Sequence, residues 1–137
     1  MIAAEFVVQA SVLMTMSPLH RSWTITDVVR LLYPPVSLGQ VVYITNTEGR
    51  VAGFATYGFF SEEASRGFID GSRKLQPTDW TTEGGRIWAV DVLSPQGNGT
   101  PVARLLRAKL CELGYKGKNI YFRRKYGGKV RINRVCL

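Results

Sequence analysis

The stretch Arg86-Ile87-Trp88-Ala89-Val90-Asp91-Val92-Leu93 decides how this chain is read. It has the length of a strand and is almost wholly apolar, as a strand covered on both faces must be. Asp91 interrupts it, and a carboxylate in such a place needs a partner or a task. On sequence alone Asp91 could equally cap a loop or face solvent from a half-exposed strand. The run continues into Ser94-Pro95-Gln96-Gly97-Asn98-Gly99 and then Thr100-Pro101, a capping residue followed by proline, which opens a helix. That helix carries Val102, Leu105, Leu106, Lys109 and Leu110 and stops at Gly114. A strand, a glycine-rich loop and a helix N-terminus together make an anion site from Gln96, Gly97, Asn98, Gly99 and Thr100. Any strand-to-helix turn can use glycine, so the loop by itself names no ligand.

Working outward, Gln40–Thr45 and Arg50–Phe59 are β-rich and flank the turn-like Asn46-Thr47-Glu48-Gly49, which predicts a hairpin. Ser61 followed by Glu62 and Glu63 starts a helix running to about Gly71, with acids where the helix dipole favours them. Residues 72–85 are polar and read as a loop holding Trp80. At the N-terminal side, Ile2, Phe6, Val7, Ala10, Leu13 and Met14 recur at helical spacing. Thr24-Ile25-Thr26-Asp27 is a capping box with Asp in place of Glu, and the helix it opens is expected to end at Pro34-Pro35. The tail alternates through Asn119–Arg124 and Lys129–Ile132 around Tyr126-Gly127-Gly128, a second and strongly basic hairpin. This order of elements predicts an α/β fold, a sheet with helices packed on it, in one domain over residues 1–137.

Between the first two helices lies Ser17-Pro18-Leu19-His20-Arg21-Ser22-Trp23, with the one histidine of the 137 residues. Ser17 and Pro18 read as a helix cap and first helical residue, which puts His20 about one turn in. Histidine is the side chain whose ordinary pKa lies near neutrality, so it is the natural proton acceptor here. A lone histidine is more often a packing or surface residue, and only its company elsewhere in the chain raises the catalytic reading.

The net charge of +8 is concentrated. Residues 1–112 hold ten residues of each sign, whereas residues 113–137 hold Lys116, Lys118, Arg123, Arg124, Lys125, Lys129, Arg131 and Arg134 and no acid. Such asymmetry points to an anionic partner. Cys111 and Cys136 are too few for a disulfide framework, and no metal-ligand constellation is visible. The apolar start lacks a basic lead and contains Glu5, unlike a signal peptide, and no run reaches the ~20 apolar residues of a membrane span. A cytoplasmic protein is expected.

The strand, glycine loop and helix of residues 86–114 resemble the cofactor-binding core of GCN5-related N-acetyltransferases. Gln96 and Gly99 stand where that fold's pyrophosphate loop has its fixed residues, but Pro101 replaces the last small one, which argues against ordinary acetyl-CoA binding. More specifically, Ser17-Pro18-Leu19-His20-Arg21-Ser22-Trp23 together with Trp88-Ala89-Val90-Asp91 and the Pro95/Gly97/Gly99 loop resembles the toxin-activating lysine acyltransferases, which activate RTX haemolysins. The late Gly127-Gly128-Lys129 agrees, so the resemblance covers residues from about 10 to 132.

That resemblance implies an acetyltransferase-like fold, often dimeric. It also implies transfer of a fatty acyl group from the phosphopantetheine thioester of acyl carrier protein to lysine amines of a protein substrate. It makes His20 and Asp91 the essential pair and Ser17 a supporting residue. Acyl carrier protein is acidic, so Arg123, Arg124 and Lys125 are the expected docking residues. Two other readings compete. A nucleic-acid module would use the tail's Tyr121, Phe122 and Tyr126 among its cations, although the tail matches no nucleic-acid-binding motif. An acetyl-CoA-dependent N-acetyltransferase would use the 96–101 loop.

Overall fold

The apolar run at 86–93 forms the middle strand of a five-stranded sheet ordered β1-β2-β3-β4-β5 in the computed structural model, which describes residues 1–95, 99–126 and 128–137, Lys125 and Tyr126 by backbone alone. The strands are β1 (Val41–Thr45), β2 (Val51–Phe60), β3 (Arg86–Leu93), β4 (Asn119–Tyr126) and β5 (Lys129–Cys136). Neighbours are antiparallel except β3 and β4, which run parallel. A parallel pair needs a crossover, and α5 (Thr100–Leu110) supplies it. This is the α/β sheet flanked by helices that the sequence predicts, and it is consistent with an acetyltransferase-like fold.

Helices cover both faces. On one, Val102, Leu106 and Leu110 of α5 pack on Ala55, Tyr57, Ile87, Ala89 and Ile120. On the other, α1 (Ala3–Met14) lays Phe6, Ala10, Leu13 and Met14 against Val51, Phe54 and Leu93. Beside that cluster, Phe60, Phe68, Trp80 and Trp88 bring α4 (Glu62–Asp70) onto the sheet, and the Trp88 indole N–H donates to Ser65 Oγ at 3.1 Å.

Local signals account for most element ends. Thr24 and Asp27 exchange the two bonds of a capping box at the start of α2 (Ile25–Asp27). The Ser61 hydroxyl accepts from Ala64 N, and α4 stops at Gly71 in the left-handed region at φ 72°. Asn46 Oδ1 accepts from the N–H groups of Glu48 and Arg50 and so closes the first hairpin. Within the segment read as a loop, Pro77–Trp80 form a 3-10 turn that buries Trp80 completely.

Two expectations need correction. The prolines do not end the second helix. The chain widens to a π-turn over Val28–Leu32 and then begins α3 (Tyr33–Ser37), in whose first turn the prolines' missing N–H groups cost nothing. In α5, Thr100 is the first helical residue and not the cap. Gly99 holds the cap position, its carbonyl accepting from Ala103 N at 2.9 Å with no side-chain cap bond.

Candidate active site

β3 and β4 share only the pairs Ile87↔Ile120 and Trp88↔Tyr121, although both strands continue well beyond them. Past that point they part, and a cleft of about 710 Å³ opens between them. His20 and Asp91 lie in its wall, together with Leu19, Gly99, Thr100, Arg104 and Arg107, Phe122, Arg123 and Arg124.

Asp91 reaches this wall through an irregularity in β3. Side chains alternate along a strand, so Ile87, Ala89, Asp91 and Leu93 would share one face in a regular one. Ile87 and Ala89 do pack under α5, but Leu93 packs under α1 on the opposite face. The switch occurs where Thr56 pairs with Asp91 while its neighbour Tyr57 pairs with Ala89, which leaves Val90 as an extra residue. This β-bulge re-aims Asp91 toward the α1 face. Thr56, fully buried, holds it there by accepting from Asp91 N at 3.2 Å. Nothing in the sequence marks Thr56, which is one residue of an apolar strand.

The segment expected to start a helix at Ser17 is instead a run of turns between α1 and α2. Ser17 O accepts from His20 N at 3.1 Å and from Arg21 N at 2.9 Å, which folds the Ser17 side chain back under the imidazole. Its hydroxyl therefore caps no helix and lies 2.8 Å from His20 Nδ1. The other ring nitrogen, Nε2, lies 2.9 Å from Asp91 Oδ1, which joins residues 71 positions apart. The Trp23 ring, 5.0 Å from the imidazole, closes a further side. His20 is only 4% exposed, so three neighbours fix its orientation.

Of the five residues expected to bind an anion, Gly99 and Thr100 line the cleft at the start of α5. Gln96, Gly97 and Asn98 lie outside the described residues. The three expected docking residues divide. Arg123 is tethered: Nη1 donates to Phe68 O at 2.8 Å, and the guanidinium sits 4.0 Å from the centre of the Phe68 ring, although the residue as a whole stays exposed. Burial lowers its pKa, and the attraction of Asp91 opposes that shift. Arg124 lines the cleft with its guanidinium 5.2 Å from the Phe122 ring, and the Lys125 side chain lies outside the described residues. Arg104 and Arg107 escaped the sequence reading, although their spacing of three on a helix behind a glycine loop was a usable signal.

A model of the RTX toxin acyltransferase family matches residues 4–135. The chain belongs to that family. It is similar to the lysine-acyltransferase RtxC of Vibrio cholerae, 29% identical over 104 residues that cover 76% of this chain and 67% of that protein. It resembles the protein-lysine myristoyltransferase HlyC of Escherichia coli at 28% identity over 105 residues, 77% of this chain and 61% of HlyC. The RTX-II toxin-activating lysine-acyltransferase ApxIIC of Actinobacillus pleuropneumoniae is 23% identical over 115 residues, 83% of this chain and 70% of ApxIIC. The chain thus spans roughly three-fifths to seven-tenths of these relatives. Among the described residues no helix is long and apolar enough to cross a membrane.

Proposed function

We propose that this chain is a protein-lysine acyltransferase that moves a fatty acyl group from the phosphopantetheine thioester of acyl carrier protein to lysine ε-amines of an RTX-toxin-like protein. The observation that carries this reading is the His20–Asp91 pair, bonded at 2.9 Å in the wall of the cleft where β3 and β4 part. A free lysine has a pKa of about 10.4 and is almost wholly protonated at neutral pH, so attack on a thioester needs a proton acceptor at the meeting point. The pair supplies one.

The cleft reaches both faces of the sheet, which suits a reaction of two large substrates. Gly99, Thr100, Arg104 and Arg107 line it from the α5 side, where a helix N-terminus and two guanidinium groups would hold the phosphate of a phosphopantetheine arm. Ala89, Ala103, Leu106, Ile120 and Phe122 would give the acyl chain apolar surface. The lysine would then enter from the His20 side. The basic tail would dock the acidic carrier protein, and we place the enzyme in the cytoplasm as a homodimer of one domain per chain.

The nucleic-acid reading loses support because two of the tail's aromatic rings already have partners. Tyr121 packs 5.6 Å from Trp88 beneath the Arg86 guanidinium, and Phe122 packs on the α5-side core. Neither is left to stack on bases. Incubation with acyl-acyl carrier protein and a candidate toxin, followed by mass spectrometry, tests the proposal. A mass increase of one acyl group on lysine with the wild-type protein, and none with His20→Ala, is the expected result. Equal modification by both proteins would remove it.

A further inference from the structure

Both ring nitrogens of His20 are occupied, and the identity of their partners fixes where the proton sits. An ionised carboxylate only accepts, so Nε2, 2.9 Å from Asp91 Oδ1, must carry a hydrogen. In a neutral ring Nδ1 is then the acceptor, and the Ser17 hydroxyl donates to it across 2.8 Å. The opposite tautomer would set the Nε2 lone pair against the carboxylate. In hydrolase triads the histidine keeps one nitrogen for the acid and offers the other to the reacting group. Here the second nitrogen faces Ser17, which is 7% exposed and does not line the cleft. The imidazole has no vacant acceptor toward substrate.

The carboxylate does. The Asp91 side chain is 13% exposed against 3% for His20. One of its oxygens is bonded to the ring, and Oδ2 has no hydrogen-bond partner among the described residues. The titratable or charged groups around it are His20 from the turn after α1 and Arg123 from β4, with Arg104, Arg107 and Arg124 lining the same cleft.

We infer that Asp91, not His20, meets the substrate amine, and that Ser17 is a positioning residue that bonds Nδ1 of the Nε2–H tautomer and fixes the ring's orientation. This rests on the acyltransfer reading above. The lysine ammonium first releases a proton to water; as the resulting amine nitrogen bonds to the thioester carbon and the carbon–sulfur bond breaks, one N–H proton passes to Asp91 Oδ2 and from there to the departing sulfur. His20 keeps its own proton throughout and holds Oδ1 through it, which leaves Oδ2 aimed into the cleft.

The single histidine makes the test clean. Long-range proton–nitrogen NMR of the ¹⁵N-labelled full chain, at a pH where His20 is neutral, reports the tautomer without any turnover. The Nε2–H form is expected in the wild type, in Ser17→Thr and in Ser17→Ala alike, since the Asp91 carboxylate selects it, with the Nδ1 resonance displaced in Ser17→Ala alone by the loss of its hydrogen bond. A wild-type Nδ1–H form, or a Ser17→Ala spectrum identical to wild type, would overturn the role of Ser17. Ser17→Ala should lower kcat about tenfold with the donor KM unchanged, and Ser17→Thr should restore it.

Asp91→Asn then separates proton acceptance from orientation, because its amide oxygen can still accept from Nε2–H. The tautomer should persist while transfer falls at least a hundredfold. Near-wild-type transfer, or a switched tautomer, would overturn the assignment. A wild-type protein with the stated tautomer and no transfer to any substrate would count against the acyltransferase reading and leave the tautomer assignment standing.

Discussion

Two aspartates, Asp79 and Asp91, are each held by a nitrogen base, and their surroundings differ in one decisive respect. Asp79 is bound by both arms of Arg73, Nη1 to Oδ2 at 2.8 Å and Nη2 to Oδ1 at 2.9 Å, and Oδ2 also accepts from Gln76 N at 2.6 Å. Burial works against its charge, but the Arg73 bonds and the Gln76 N–H outweigh that and hold its carboxyl below the ordinary range. Both oxygens are used, and the result is a brace for the turn that buries Trp80. Asp91 has one oxygen bonded and one open to a cleft. A buried carboxylate with full satisfaction stabilises a loop, whereas one with acceptor capacity left over, beside a histidine and a cavity, can do chemistry.

Exchanging each carboxylate for its amide breaks the comparison most sharply. Asp91→Asn should cost acyl transfer on the order of 10³-fold, the usual scale for losing acid–base help. Chemical denaturation should move by no more than about 1 kcal/mol, since the amide can still bond Nε2–H. Asp79→Asn should do the reverse. It removes the charge from one partner of a half-exposed guanidinium that keeps Glu63 at 3.8 Å, so a stability loss of about 1–2 kcal/mol is expected, the scale of a charge-assisted hydrogen bond. Activity per folded molecule should be unchanged. An Asp79→Asn protein as stable as wild type, or an active Asp91→Asn protein, would erase the distinction.

Acid sharpens it next. The folded pKa of Asp79 is depressed, so its contribution is complete above the unfolded value of about 3.9 and is lost as pH falls through the folded value. The stability gap between wild type and Asp79→Asn should therefore be widest near neutrality and narrow progressively below about pH 5. Urea titrations at pH 7 and pH 3 measure it, and a gap that widens in acid contradicts the assignment. The smallest effect belongs to Thr24, whose hydroxyl accepts from Asp27 N at 3.1 Å on the surface. Thr24→Ala should cost about 1 kcal/mol of stability by calorimetry. It should leave transfer untouched, because its capping box, made with Asp27, touches neither Asp79 nor Asp91.

What could be read without coordinates was whatever depends on near neighbours in the chain. The capping box at Thr24, the Ser61 cap, the Gly71 stop and both hairpins follow from contacts within a few residues. The near-continuous apolarity of residues 86–93 likewise marked the middle strand and the carboxylate inside it. The motif at 17–23 pointed to His20 as a site residue through family resemblance. It misled on Ser17, because a serine before a proline has the same local signature whether its hydroxyl caps a helix or bonds a ring.

The tertiary structure decided the rest, for reasons of register and distance. Whether Asp91 joins His20 depends on one extra residue in β3, and strict alternation would have sent it under α5. A bulge is a mismatch between two strands, so it has no signature in either strand read alone. The same holds for Arg123, which looks like one cation of a basic run but is tethered by a carbonyl and a ring 55 positions away. The sequence determined which groups the site would contain. The pairing of β2 with β3, and the early parting of β3 from β4, determined that they face one cleft, because only strand pairing sets which side of a sheet a side chain occupies.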